Sequence, residues 1–251
     1  MRILKNFKIS VFLVGIMMIL ALLCFSRPVQ ATQQQDESNY IYIIENGKAE
    51  ILWYRGNGGD VTIPSTLGGA PVIRIGNSAF NVWNKLSITS IDIPQGVTSI
   101  GDQAFGGCYR LTSITIPQGV TSIGDGAFNG CSRLTNINIP QGVISIGKYT
   151  FRDCSSLTSI TIPQGVLSIG ERAFYDCQSL INIIIPKSVT SIGNSAFNGC
   201  SSLFSVIFNS PTTIITGEAF PMRTTIIGYN ISTAKDYAAK YINVFEPIVS
   251  Q

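Results

Sequence analysis

A repeat with a fixed period of 23 residues constrains the fold of this chain more than any other feature of the sequence. Its clearest copy reads ITIPQGVTSIG over residues 114–124, and it is followed by Ala127-Phe128 and Cys131. Five consecutive copies carry the same marker residues, which are Pro94, Pro117, Pro140, Pro163, Pro186, Phe105, Phe128, Phe151, Phe174, Phe197, Cys108, Cys131, Cys154, Cys177 and Cys200. A fixed period predicts a solenoid, in which stacked repeats share one continuous core.

The path of the chain within one repeat follows from the spacing of its apolar residues. Residues 111–116 have the pattern Leu-x-x-Ile-x-Ile, which predicts a short strand, and Pro117 ends that strand because proline removes a ladder hydrogen bond. Residues 120–123 predict a second short extended segment. Phe128 is expected on a helical or 3₁₀ turn, from which its ring fills the core. Successive strands should stack in parallel, about 4.8 Å apart.

The full unit C-x-x-L-x-x-I-x-I-P-x-x-V-x-x-I-G-x-x-A-F resembles the BspA-like leucine-rich repeat over about residues 40 to 250. The outermost copies depart from it, with Trp83 and Arg223 standing where a cysteine is expected. The resemblance implies a mainly β solenoid, the leucine-rich-repeat horseshoe, with a parallel sheet on the concave side and short turns on the convex side. It also implies a secreted or surface-displayed protein, because members of the family are mostly of that kind, and some of them are adhesins for host matrix proteins or other cells.

Both ends of the solenoid need a cap, because a terminal repeat otherwise exposes its core to water. Residues 40–54 predict a β-hairpin around Asn46-Gly47, with Trp53 and Tyr54 as packing residues. A short helix over residues 234–241 and an extended segment over residues 243–248 predict the other cap. We therefore expect a single domain over 40–251, with an N-terminal β cap at 40–70, repeats at 71–225 and a C-terminal cap at 226–251.

The N-terminus follows the plan of a secretory signal peptide. A basic start precedes an apolar run over residues 9–25, and small residues precede a cleavage site after Ala31. We expect a cleaved signal peptide at 1–31, a flexible tether at 32–39 and a secreted or cell-surface protein. An uncleaved anchor is the alternative, because the apolar run is near the lower length limit for a membrane span.

Charge and composition exclude several functions. Four of the 17 basic residues precede residue 32, which leaves 13 against 14 acidic residues, so we expect neither a nucleic-acid partner nor a membrane contact beyond the signal segment. The chain has no histidine, the commonest general base and metal ligand. Asp102 and Asp125 follow glycine at turns and are interpreted as turn formers. We predict no enzyme activity, no metal and no cofactor, and a hydrolase is the remote alternative.

The five repeated cysteines occupy equivalent positions. Neighbouring rungs are close enough for disulfides, and an odd number of cysteines in a secreted protein invites that interpretation. Free cysteine is nevertheless among the most buried residue types, so we favour a ladder of reduced, buried thiols.

The outward positions of the strands form the candidate binding surface, because solenoids use their concave faces for binding. The candidate residues are Ser113, Thr115, Gln118, Asn136, Asn138, Gln141, Ser159, Thr161, Gln164, Asn182, Ile184 and Ile207. We expect this face to contact an extracellular protein or glycan; the alternatives are that the polar side chains only solvate the sheet, or that the protein is architectural and self-associates weakly. Near the C-terminal end, Ile181, Ile184, Phe204 and Ile207 make the face apolar. This region is either a contact site or a surface covered by the C-terminal cap.

Overall fold

The computed structural model describes residues 37–81, 87–229, 232–241 and 243–248. The predicted signal peptide, Trp83 and most of the predicted tether lie outside the described residues. Within them the chain is a β-solenoid, as the period predicts, and they include no helix long and apolar enough to span a membrane.

The secondary structure consists almost entirely of short strands. In chain order they are β1 (Tyr40–Glu45), β2 (Lys48–Tyr54), β3 (Gly58–Thr62), β4 (Thr66–Leu67), β5 (Ala70–Ile75), β6 (Ser87–Asp92), β7 (Ser99–Ile100), β8 (Ser113–Thr115), β9 (Ser122–Ile123), β10 (Ser145–Ile146), β11 (Ser168–Ile169), β12 (Asn182–Ile185), β13 (Ser191–Ile192), β14 (Ser205–Phe208), β15 (Ile214–Ile215), β16 (Thr225–Gly228) and β17 (Val244–Pro247). A 3₁₀ turn at Glu37–Asn39 precedes β1, and one helix, α1 (Thr233–Tyr241), precedes β17.

Two columns of parallel strands run along the solenoid. The column that we call ladder I contains the Leu-x-x-Ile-x-Ile segments: β3, β6 and β8 pair in that order, and so do β12, β14, β16 and β17. Between these groups, ladder I continues as a single bridge from Asn138 to Thr161. The other column, ladder II, contains β5, β7 and β9 and then β10, β11, β13 and β15. The antiparallel hairpin of β1 and β2 extends ladder II at its N-terminal end through a parallel pairing of β2 with β5.

The phenylalanine segments form a third column, made of turns. Cys131 N donates to Phe128 O at 3.1 Å and Asn129 N donates to Gly126 O at 2.9 Å, so the predicted convex-side turns are successive i to i+3 turns. Phe128 N donates to Thr150 O of the next repeat at 2.9 Å, which links the turns from rung to rung.

A stack of aromatic rings fills the core. The phenylalanine rings from Phe80 to Phe220 follow one another with centroids 4.9–5.5 Å apart. Tyr54 continues the stack at the N-terminal end and Tyr237 closes it edge-on at the other end, so both predicted caps are confirmed. The predicted packing role of Trp53 is wrong: its side chain is 46% exposed, because it pairs with Ile41 on the outer side of the hairpin.

The five repeated cysteines are buried and free, as predicted. Each thiol donates to the carbonyl of a phenylalanine in the preceding repeat; Cys154 Sγ, for example, lies 3.2 Å from Phe128 O. Burial raises the pKa of Cys108 to about 12 and holds the pKa of Cys131 well above its usual value. The cysteines of the ladder therefore pack as small apolar groups, and burial holds Cys108 and Cys131 in the unreactive thiol form.

Candidate functional site

The candidate site is the outer surface of ladder I, which we call the strand face. Strand pairing aligns its side chains in columns: Ser90 lies beside Ser113, and Asn138 lies beside Thr161. All twelve predicted site residues lie on this face or at the corner that follows it. Eleven of them are exposed and Ile207 is half-buried.

A shallow polar groove brings four of the predicted residues together: Thr115, Gln118, Asn136 and Asn138. The groove has a volume of about 310 Å³, and Ile114 and Pro117 form part of its wall. It lies where ladder I is interrupted, since no strand pairing joins Thr115 to Asn138 within the described residues. Gln141 and Gln164 lie beyond this groove and do not line it.

The polar side chains of the groove are available to a ligand. Asn136 Nδ2 donates only to the neighbouring Thr135 Oγ1, at 3.4 Å. Among the described residues, the side chains of Thr115, Gln118 and Asn138 form no hydrogen bond to another part of the chain. The groove therefore presents amide and hydroxyl groups that can both donate and accept.

Other polar groups on the strand face serve the stacking of the repeats. Thr112 Oγ1 donates to Thr89 O at 3.0 Å, and Thr158 Oγ1 donates to Thr135 O at 3.3 Å. At the N-terminal end, the carboxylate of Asp60 accepts hydrogen bonds from two hydroxyls, which lower its pKa. The hydrogen bonds that these side chains make to neighbouring repeats give them a structural role.

The C-terminal part of the strand face is apolar and open. Ile181 and Phe204 continue the column of threonines, with Phe204 N donating to Ile181 O at 2.8 Å, and Ile184 pairs with Ile207. Exposure is 50% for Ile181, 53% for Ile184 and 69% for Phe204. We call these four residues the apolar sector. The described residues of the C-terminal cap do not cover it: α1 meets the chain elsewhere, with Thr233 N donating to Pro211 O and Tyr237 Oη accepting from Phe220 N.

The carboxylates of the turns have structural partners. Asp102 Oδ1 accepts from Asp125 N and Asp125 Oδ1 accepts from Lys148 N, both at 2.8 Å. These side chains therefore connect successive rungs, in addition to standing at the turns as predicted. Asp153 and Glu171 pair with neighbouring arginines. The described residues contain no group of three potential ligands that could hold a metal ion.

Sequence reasoning missed two exposed features outside the strand face. Directly before two strands of ladder II, Ile144 and Leu167 are exposed on adjacent rungs, where other repeats carry threonine. On the column of turns, the guanidinium carbon of Arg152 lies 5.9 Å from the ring centroid of Tyr149 and 5.6 Å from that of Tyr175. In each case the signal was a departure from the residue found at that position in the other repeats.

Comparison with known proteins places this architecture among solved bacterial repeat proteins. A family model described as a BspA type leucine rich repeat region, in six copies, matches residues 73–166 and 121–243. A leucine-rich repeat protein of T. pallidum is 28% identical, with a TM-score of 0.65, over 83% of this chain and 96% of its own.

A second solved structure is a leucine rich cell surface protein from Faecalibacterium prausnitzii A2-165. It is 34% identical, with a TM-score of 0.54, over 68% of this chain and 53% of its own, so this chain spans about half of it. No curated protein sequence matches this chain significantly.

Proposed function

Because the chain belongs to the BspA-type leucine-rich repeat family, we propose that it is an extracellular binding protein whose strand face contacts a protein on a host cell, in a matrix or on a neighbouring microbe. Members of this family are repeat proteins that lie at the cell surface or that mediate protein interactions. The predicted signal peptide and the cell-surface description of the F. prausnitzii relative support display outside the cell.

The apolar sector is the observation that carries this proposal. Three of its four side chains are at least half exposed, although the preceding repeat carries Thr158 and Thr161 at the positions of Ile181 and Ile184. Exposed apolar side chains that adjoin one another mark contact sites, and aromatic residues are enriched at the centres of protein interfaces. Isoleucine offers no hydrogen bond to a sugar hydroxyl. These residues therefore favour a protein partner over a glycan.

The polar groove supplies directional contacts on the same face as this apolar surface, with the rung of Thr161 between them. Thr115, Gln118 and Asn138 offer unpaired donors and acceptors on the same face. An apolar anchor combined with oriented polar groups is the usual composition of a specific protein contact. Both regions are set by residues that vary between repeats, so they distinguish this chain from a uniform stack.

A non-catalytic role agrees with the chemistry of the described residues. The turn carboxylates bond to backbone amides or to arginines, and the five repeated cysteines are buried. A leucine-rich-repeat solenoid is typically a binding scaffold.

The proposal is tested by measuring the binding of the secreted protein to a panel of purified extracellular-matrix proteins and to a separate glycan array. Phe204→Lys should weaken binding to a captured matrix protein at least tenfold, because it places a charge at the most exposed residue of the apolar sector. The matched control is Ile214→Lys, which changes a side chain of similar exposure, 63%, on ladder II. It should leave binding unchanged. Thermal unfolding of both variants confirms that each is folded.

Two results would contradict the proposal. Equal loss of binding in both variants would show that the strand face has no special role. Binding to the glycan array alone, unaffected by Phe204→Lys, would assign the protein to carbohydrate recognition instead.

A further inference from the structure

The N-terminal hairpin exposes an unusual amount of apolar surface. Among the described residues, 15 large hydrophobic side chains are exposed. Five of these belong to the hairpin: Ile41, Ile43, Ile44, Leu52 and Trp53. These five side chains therefore cluster at one end of the solenoid, away from the strand face.

Strand β1 also leaves one edge unpaired. It pairs with β2 on one side, and its other edge forms no backbone hydrogen bond within the described residues. Proteins usually protect such an edge with proline, lysine or a very short strand. Here the edge is six residues long, reads YIYIIE and contains neither proline nor lysine.

The edge strands of ladder I are protected by comparison. At the C-terminal end, β17 is four residues long, carries an exposed Glu246 and finishes at Pro247. At the other end, β3 begins with Gly58-Gly59-Asp60, which combines glycine with a charge. The open edge of β1 is therefore a local feature and does not follow from the solenoid architecture.

We propose that two copies of this chain associate through β1, in an antiparallel pairing that continues ladder II from one molecule into the other. The pleat restricts the register, because directly paired residues must lie on the same face of the sheet. Ile41 and Ile43 point outward, whereas Tyr40 is buried and Tyr42 half-buried. A two-fold axis at Tyr42 places Ile41 beside Ile43 of the second copy and repeats that contact on the other side.

Charge complementarity supports the same register. This register places Glu45 of the second copy opposite Asn39, the residue that directly precedes β1. Arg55 lies beside that position, since Arg55 N donates to Asn39 O and its Nε donates to Ser38 O, both at 2.9 Å. Arg55 lies on the β2 side of Asn39, so its backbone is about two strand spacings, or ~10 Å, from that of Glu45, a distance that the two long side chains can span across Asn39. The two-fold axis repeats this arrangement at the other end of the paired strands.

The test is sedimentation equilibrium of the full chain, expressed with its own N-terminal segment and purified after secretion. The wild type should be a dimer at micromolar concentration. Glu45→Arg should weaken the dimer at least tenfold, because it replaces two attractive pairs with two repulsive ones, and so should Arg55→Glu. The double variant, with both charges exchanged, should restore the dimer.

A matched control separates the edge from a general effect of surface charge. Ile43→Lys should abolish the dimer, because lysine protects an edge strand, while Ile144→Lys, directly before a strand of ladder II, should not affect it. Circular dichroism melting confirms that each variant is folded. A wild type that remains monomeric at 100 μM, or a dimer that persists in Ile43→Lys and in both single charge variants, would overturn the proposal.

Discussion

At the scale of single residues, one acceptor position explains Asp102 and Asp125. Asn77 Oδ1 accepts from Asp102 N at 2.9 Å, and Asp102 and Asp125 repeat the contact on the next two rungs. An amide oxygen therefore serves as well as a carboxylate at this position. The shared property is a short side chain that reaches the backbone of the following rung, and charge is not needed.

Substitutions at Asp125 separate the hydrogen bond from the charge. Asp125→Ala should lower the free energy of unfolding by about 1 kcal/mol, because it leaves the N–H of Lys148 without this acceptor. Asp125→Asn keeps the oxygen and should change that free energy by less than about 0.5 kcal/mol. Urea unfolding measures both. If Asp125→Asn were as destabilising as Asp125→Ala, the negative charge would be the stabilising feature.

At the scale of the structural elements, the glycine of the Ile-Gly pair is required by the closeness of neighbouring rungs. A Cβ atom at Gly170 would lie 2.7 Å from the carbonyl carbon of Gly147 and from the nitrogen of Lys148. The φ angle of Gly170 is not in the left-handed region, so the constraint is contact between backbones. Gly119, at the proline corner, is different, since its nearest neighbour would be Gln95 O at 3.5 Å.

This difference predicts opposite outcomes for two identical substitutions. Gly170→Ala should destabilise the protein by about 1–3 kcal/mol, because rigid backbone must move to accept the methyl group. Gly119→Ala should be neutral or stabilising by up to about 1 kcal/mol, because alanine restricts the unfolded chain. Thermal and urea unfolding compare the two. Equal destabilisation would show that close stacking at the Ile-Gly turn is not the reason for its glycine.

The sequence predicted the solenoid and its core positions, but two of the predicted strands are missing: the Leu-x-x-Ile-x-Ile segments at residues 134–139 and 157–162 form only the bridge from Asn138 to Thr161. Inward positions such as Ile116 and Phe128 were assigned correctly, because one residue type recurs at the same place in every rung. Trp53 was misassigned because a bulge between β1 and β2 leaves Leu52 without a partner, and alternation alone does not reveal a bulge. The interruption of ladder I beside Asn138 was likewise hidden, since Ile114 and Ile137 are the same residue type.

The candidate site was predictable in outline only. The outward positions followed from alternation, and eleven of the twelve are exposed. Whether the C-terminal cap covers Ile184 and Phe204 depended on where α1 packs, which is a long-range property. The same limit applied to β1, because a hairpin signal does not say whether its outer edge finds a partner.

At the scale of the whole described solenoid, the aromatic stack and its caps form a closed framework. Tyr40 and Tyr237 end the stack where phenylalanine would leave an unsatisfied polar neighbour: Tyr40 Oη donates to Thr62 O at 3.3 Å, and Tyr237 Oη accepts from Phe220 N at 3.1 Å. The recurring residues are thus committed to stacking. Information about a partner must lie in the residues that vary along the strand face.

Hydroxyl-radical footprinting of the protein, alone and bound to the matrix protein that it captures, tests this claim most directly. We expect binding to reduce the oxidation of Phe204, Ile184 and Ile181, since their exposed side chains would be covered. Tyr109 and Met222 are also exposed but lie outside the strand face, and their oxidation should not change. Protection of Tyr109 or Met222, with Phe204 oxidised as in the free protein, would contradict the assignment of the strand face as the binding surface.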